Sequence, residues 1–375
     1  MRVMIIAGEA SGDQHSAKLV EAVHAKNPDV EFYGIGGEHM RAAGVKTLVD
    51  SAEMAVVGLV EIWAHRKVIF GALAQMRELL KINPPDLLIL TDYPEFNLRL
   101  AKTAKQLGIK VLFYISPQIW AWRQWRVKKI RNLVDMMAVI FPFEEAFYLK
   151  HHVPVRFVGH PLANEVHASA DKNTLCQEFG LDPNKPVVGL FPGSRRSEVK
   201  RLAATLFETA QQLKQHDPDI QFLLPVASTL NKTIFNDYMT DNTPAINMIE
   251  GRSYDVMQAC DTIITVSGTV TLEIALIGTP LVIINRISPI SYHLVKHLIK
   301  IDHIGLCNIV ANKRVAPEFI QHDATVKNIS KETIRILTDN TYRNTIREGL
   351  IEIRRKLESS EKVIDIADLT LEMLG

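Results

Sequence analysis

The sequence predicts an α/β protein of two Rossmann-like domains facing a central cleft, followed by a helical C-terminal segment. Three observations carry this. Short β-branched runs alternate with longer helical patterns along all 375 residues, the signature of βαβ units around parallel sheets. The alternation stops at the turn-rich stretch Leu181-Asp182-Pro183-Asn184-Lys185-Pro186 and then restarts. Glycine-bearing loops sit where strands end and helices begin, in both halves. A chain of this length is too long for one ordinary core and fits two domains.

In the first half the strand candidates are residues 3–7, 31–35, 87–90, 111–115, 138–141 and 156–158. They are continuously apolar more often than alternating, as parallel strands buried on both faces are. Helical patterns lie between them, for example at 14–26 and 96–107. After the junction a fresh strand, 187–191, leads into a helix at 198–215. Strands follow at 222–225, 246–249, 262–266 and 281–284. From residue 331 onward Ile334, Leu337, Ile346, Leu350, Ile353 and Leu357 recur at roughly helical spacing. The expected division is 1–182, 183–345, and a helical tail, 346–375, that closes its own domain or packs across a domain or dimer interface. Open parallel sheets bind ligands beyond the carboxyl ends of their strands, so both halves are expected to face the cleft.

Hydrophobic residues make up 47% and charged residues 23%, the balance of a globular protein. The formal net charge is +1, so no global field draws in nucleic acid, and any basic surface is local. Cys176, Cys260 and Cys307 are far apart and odd in number. They form neither metal spacing nor a disulfide framework, which points to a reducing cytosol. The apolar run 1–7 meets a polar, acidic loop at once and does not read as a signal peptide. No run is long enough to span a membrane, so any membrane contact is expected from the side.

Three loops can bind an anion. They are Gly8-Glu9-Ala10-Ser11-Gly12-Asp13, Pro192-Gly193-Ser194-Arg195-Arg196-Ser197, and Ser267-Gly268-Thr269 at the head of the helix carrying Glu273. Each offers free backbone N–H groups at a helix N-terminus, where phosphate is stabilised. Each also reads as a plain turn needing glycine. None is a Walker loop or a full Gly-x-Gly-x-x-Gly, which weakens kinase, ATPase and dehydrogenase readings. Arg195 can hold a diphosphate bidentately, or pair with Glu198. Asp92 follows a strand and can accept a proton from a substrate hydroxyl, or cap the next helix. Glu273 can hold ribose hydroxyls, or stand exposed.

Two stretches mix apolar and basic residues. Val56, Val57, Leu59, Val60 and Trp63, followed by Arg66 and Lys67, suit a surface that dips into lipid headgroups, and equally a buried core helix. Residues 120–131 interleave tryptophans with cations, as a site for anionic lipid, a sugar phosphate or a single strand of nucleic acid does. The near-neutral chain puts nucleic acid last.

Taken together, the motifs resemble those of the lipid-A-disaccharide synthase family. They are Gly-Glu-Ala-Ser-Gly-Asp at 8–13, Thr-Asp-Tyr-Pro-Glu-Phe-Asn at 91–97, Ser-Pro-Gln-Ile-Trp-Ala-Trp-Arg at 116–123, Pro-Phe-Glu at 142–144, Pro-Gly-Ser-Arg at 192–195, and the segment from Ser267 to Glu273. Asn308-Ile309-Val310-Ala311 with Pro317-Glu318 also fits, although Cys307 stands where the family usually has proline. The resemblance implies a GT-B fold and an inverting transfer that needs no metal and no cofactor. The implied donor is UDP-2,3-diacylglucosamine and the acceptor is 2,3-diacylglucosamine 1-phosphate (lipid X), joined β-1,6 with release of UDP. It places the catalytic base at Asp92. It places UDP-sugar contacts at Gly193, Ser194, Arg195, Ser267, Gly268, Thr269, Glu273 and Asn308. An acceptor or cleft loop is expected at Glu9, Ser11, Gly12, Trp122 and Arg123. The implied setting is the cytoplasmic face of a Gram-negative inner membrane, bound peripherally, with a homodimer as a further expectation. On the residues alone an epimerase of UDP-N-acetylglucosamine, a muramyl-type transferase and a non-catalytic UDP-sugar-binding or lipid-binding protein stay open.

Overall fold

The computed structural model describes residues 1–54, 59–286, 302–358 and 363–375. The chain forms two compact units, Met1–Pro161 with Glu358–Gly375, and Leu162–Leu357. Val56 and Val57 lie outside the described residues.

The first unit holds strands β1 (Arg2–Ala7), β2 (Glu31–Gly36), β3 (Lys46–Asp50), β4 (Leu87–Thr91), β5 (Lys110–Tyr114), β6 (Met136–Val139) and β7 (Val155–Phe157). They form a parallel sheet in the order β3-β2-β1-β4-β5-β6-β7. Its helices are α1 (Ala10–Lys26), α2 (Glu38–Ala42), α3 (Ser51–Met54), α4 (Leu59–Ile82), α5 (Pro94–Gln106), α6 (Ile119–Trp122), α7 (Val127–Leu133) and α8 (Pro142–Lys150). All five residues of β4 are buried, as are those of β1 after Arg2, because helices cover both faces of the sheet. The steps from β3 to β7 all run the same way across the sheet. Right-handed crossovers therefore place α4, α5, α7 and α8 in one layer on one face. Within it α4 packs on α5 and α5 on α7. Met76 and Leu80 of α4 and Leu100, Ala101 and Ala104 of α5 close this side of the core. Leu59, Val60 and Trp63 fall in the first turns of α4 and Trp122 ends α6, with side chains outside the description.

The second unit repeats the plan. Strands β8 (Val187–Phe191), β9 (Gln221–Val226), β10 (Ile246–Glu250), β11 (Thr262–Val266), β12 (Leu281–Asn285) and β13 (Glu318–Ile320) are ordered β10-β9-β8-β11-β12-β13, all parallel. Its helices are α9 (Leu162–Glu165), α10 (Lys172–Glu178), α11 (Arg196–His216), α12 (Ser253–Ala259), α13 (Val270–Ile277), α14 (Leu306–Ala311), α15 (Val326–Thr338) and α16 (Asn340–Glu358). The chain ends in α17 (Ile366–Leu374), which belongs to the first unit and packs on α1.

The boundaries differ from those expected. Residues 162–182 belong to the second unit. There Lys172 pairs with Asp261, Arg252 Nη2 reaches Glu178 at 2.7 Å, and the Cys176 thiol faces the Ala259 carbonyl at 3.6 Å. The tail is divided. Ile346, Leu350 and Ile353 of α16 are buried in the second unit, whereas α17 is held by Lys26–Asp368 at 2.7 Å and by Lys110 on the Met373 carbonyl at 2.8 Å. Two edge strands, β3 and β13, gave no sequence signal. β3 is only partly buried and β13 is three residues long.

Candidate active site

Each sheet reverses its strand order once, between β1 and β4 in the first unit and between β8 and β11 in the second. Loops that leave such neighbouring strands diverge and open a crevice. The anion-type loops flagged in the sequence follow β1, β8 and β11, and Asp92 follows β4.

At the first switch point Asp92 leaves β4 with φ 51°, and Tyr93 follows with φ 34°. Two successive non-glycine residues in the left-handed region are a costly conformation that surrounding structure must enforce. The buried Asn97 side chain does so by donating to the Thr91 and Asp92 carbonyls, at 2.9 and 2.8 Å. Asp92 does not cap the helix that follows it, since Tyr93 is the N-cap of α5 and no side chain caps it. Its carboxylate turns to the loop after β1 and accepts from Gly8 N at 3.0 Å and Glu9 N at 3.2 Å. A Cβ on Gly12 would lie 1.7 Å from Asp92 Oδ2, so Gly12 is required by the carboxylate rather than by a turn. Burial pushes the Asp92 carboxyl up to about 7. The neighbouring Glu9 charge adds to the rise and the two backbone donors oppose it.

Glu9 and Ser11 are exposed beside this carboxylate. Asp13 in the same motif is buried and accepts from Gly37, His39 and Met40 N–H groups, so it caps α2. Arg123 pairs with Glu95 at 3.3 Å, and Arg126 pairs with the same carboxylate. The Trp-Ala-Trp-Arg and Pro-Phe-Glu motifs meet in the interior. Trp120 Nε1 donates to Glu144 Oε1 at 3.1 Å, and Ser116 and Tyr148 share a hydrogen bond of 2.8 Å. Burial raises the Glu144 carboxyl to about 8 from an ordinary 4.5. The folded state therefore holds a proton that the unfolded chain releases. Stability is full below the ordinary value and falls as pH rises toward about 8. A Glu144→Gln variant is expected to lose this slope in denaturant titrations between about pH 5 and about pH 8.

At the second switch point a cavity of about 620 Å³ opens. Gly193, Ser194, Arg195, Ser267, Gly268, Thr269 and Glu273 line it, so seven predicted positions converge there. The Arg195–Glu198 pairing foreseen as the bland alternative is slight. The two charged groups are 3.8 Å apart and the Arg195 side chain is 80% exposed. Glu198 Oε2 instead accepts Ser194 N at 3.0 Å and Arg195 N at 3.2 Å at the head of α11. Gly193, at φ 101°, makes room for it, because a Cβ there would lie 2.2 Å from that oxygen. The Ser267 hydroxyl donates to the Ile304 carbonyl at 2.7 Å, leaving its oxygen able to accept. Glu273 takes a hydrogen bond from Tyr254 OH at 3.4 Å, and burial raises its carboxyl above the usual range. Glu273 is thus a cavity residue and not an ordinary exposed glutamate.

Asn308 departs from expectation. It is fully buried and does not line the cavity. Its oxygen accepts from Val315 N and Ala316 N, both at 2.8 Å. Its nitrogen donates to Ala316 O at 2.8 Å and Glu318 Oε1 at 2.7 Å. Every polar position is spent on protein, so Asn308 braces Glu318, which holds Ile304 N and Gly305 N, both at 3.0 Å. Cys307 beside it is buried with its thiol pushed up to about 12, hence inert. Asn308→Ala should lower stability by on the order of 3 kcal/mol, because buried partners lose their bonds. Thermal unfolding reads this, and an unchanged melting curve with lost UDP affinity would restore the ligand role.

The cavity also draws in Ala227, Ser228, Gly251, Ser253 and Tyr254, which the sequence reading missed. The loops after β9 and β10 and the first turn of α12 carry them, and neither loop has a glycine-rich signature. Only Gly251-Arg252-Ser253 before a helical pattern offered a signal.

Two Rossmann-like units, each with a nucleotide-type loop pair at its switch point, define the class of fold as GT-B. Solved structures with this fold include UDP-GlcNAc 2-epimerase from Neisseria meningitidis, at TM-score 0.65 and 12% identity, covering 100% of this chain and 99% of that one. The calicheamicin glycosyltransferase CalG4 matches at TM-score 0.63 and 15% identity over 100% and 98%. Such distant likeness shows the fold alone. The family model for lipid-A-disaccharide synthetase matches residues 3–366. The lipid-A-disaccharide synthase of Geobacter metallireducens is 54% identical over 374 residues, 100% of this chain and 97% of that protein. The chain belongs to the lipid-A-disaccharide synthetase family. Its reaction is that of the family: 2,3-diacylglucosamine passes from UDP-2,3-diacylglucosamine to the 6-hydroxyl of lipid X, releasing UDP and the β-1,6 disaccharide 1-phosphate.

Proposed function

We propose that Asp92 is the general base of this transfer. The observation that carries the proposal is a carboxylate held on two backbone N–H groups at a switch point, with its pKa at about 7. A base so tuned is ionised for half the enzyme near neutral pH and still strong enough to take a hydroxyl proton in the transition state. The acceptor's 6-oxygen then attacks the anomeric carbon of the donor and UDP departs. Arg195 and the N–H groups at the head of α13 stabilise the charge that develops on the diphosphate. Glu273 holds the ribose hydroxyls. Glu9, Ser11, Gly12, Trp122 and Arg123 form the acceptor side.

The same reading puts the protein on the cytoplasmic face of the inner membrane, with Val56, Val57, Leu59, Val60 and Trp63 against acyl chains. Homodimer formation belongs to it as well. Among the described residues no helix is long and apolar enough to cross a membrane. The test is a quenched assay of UDP-2,3-diacylglucosamine with lipid X in mixed micelles, wild type beside Asp92→Asn. Product from the wild type alone supports the assignment. Equal turnover by a folded Asp92→Asn variant overturns it.

A further inference from the structure

A second cavity, of about 330 Å³, lies in the first unit, away from Asp92. It is lined by the start of α7 and the end of α8, with Trp125 at its rim. Lys128, Arg131 and Lys150 line it, together with His151 and His152. Helix α7 carries Lys128, Lys129 and Arg131 and no carboxylate. Among the described residues Lys128, Arg131 and Lys150 meet no acidic partner, whereas Arg123, Arg126, Lys81 and Lys105 are all paired. Unpaired cations converging on one concavity repel each other and favour an anion there. Trp125 is 70% exposed, unusual for so large an apolar ring. Arg126 lies over it at 5.5 Å, which keeps a cation at the ring face.

The cavity's rim tells what the anion is. Trp125 lines the groove and Leu149 precedes Lys150 at the end of α8, and both are exposed. A cationic groove flanked by exposed aromatic and aliphatic side chains matches a bilayer surface, with charge at headgroup depth and rings at the interface. We propose that the groove between α7 and α8 binds the phosphate headgroup of an anionic phospholipid and docks this face on the membrane. This deepens the membrane reading above and is independent of the residues assigned to transfer.

The test is co-sedimentation with neutral phosphatidylcholine vesicles and with vesicles containing anionic phosphatidylglycerol. Wild type is compared with Lys128→Gln/Arg131→Gln/Lys150→Gln and with Trp125→Phe. Each cation near an anionic surface is worth about fivefold in binding, so the triple variant is expected to bind anionic vesicles roughly 100-fold more weakly. Wild-type tryptophan emission should shift to the blue on those vesicles, and Trp125→Phe should lose most of that shift. Turnover in mixed micelles should stay at the wild-type level in both variants. Undiminished vesicle binding by the triple variant overturns the proposal, as does equal binding of wild type to neutral and anionic vesicles. Inorganic phosphate that displaces the protein from vesicles and shifts Trp125 emission without lipid would assign the groove to free phosphate instead. A parallel collapse of micellar turnover in the triple variant would assign it to the transfer site. If wild type binds anionic vesicles but turns over nothing, the transfer reading fails and the vesicle comparison still decides this one.

Discussion

Replacing Asp92 by asparagine is expected to cut turnover by roughly 10²–10⁴-fold, the usual contribution of a positioned general base. The variant keeps the size of the side chain, and its amide oxygen can still accept from one of Gly8 N and Glu9 N, which bond different carboxylate oxygens, so the fold should survive with one of these bonds lost. The pH profile separates a base from a mere brace. With the carboxyl at about 7, wild-type kcat/KM should rise with pH as Asp92 deprotonates and level off above that value. The sign follows from the role, because the protonated carboxyl cannot accept the hydroxyl proton. In Asp92→Asn the residual rate should lose this limb. UDP affinity should not change, since the cavity proposed to hold the donor lies in the other unit. A residual rate with the same pH limb would move the titrating base elsewhere.

Arg195→Ala carries the second large effect. The guanidinium is held only at 3.8 Å from Glu198, and Glu198 is already occupied by two backbone donors, so its removal should leave stability almost unchanged. What disappears is a cation at the mouth of the cavity that Gly193 and the head of α13 build. Removing one donor aimed at developing charge typically costs roughly 10²–10³-fold in turnover. The loss should fall on the chemical step and on UDP affinity together, because UDP carries the charge in both donor and product. Arg195→Lys should recover only part of it, since an ammonium keeps the charge without the bidentate fork. Calorimetric titration with UDP beside single-turnover rates reads both quantities. Unchanged values of both would remove Arg195 from the donor site.

The motif residues that proved to be framework show why local reading stops where it does. Asn308 and Asp13 stand in motifs as prominent as the one holding Asp92, yet both spend their polar atoms on protein partners. A side chain's type and spacing do not reveal whether its bonds close on the protein or on a ligand. That depends on what packs against it. Tyr254 illustrates the converse, a cavity residue with no motif of its own, brought to Glu273 by the loop after β10.

The sequence by itself determined the two-fold α/β plan, the three glycine-bearing loops and the Asp92 segment at strand ends, and the family. These rest on local signals: continuous apolar runs, glycines before helices and motifs read in order. Only the tertiary structure decided the strand order, and with it that the loops after β1 and β4, and after β8 and β11, are neighbours. It alone decided that the chain changes unit at Pro161 and again near Glu358, because those boundaries follow packing partners distant along the chain. The Asp92 pKa also belongs to the folded state. Burial and the Gly8 and Glu9 N–H groups, more than eighty residues away, set it, and no window of sequence contains both.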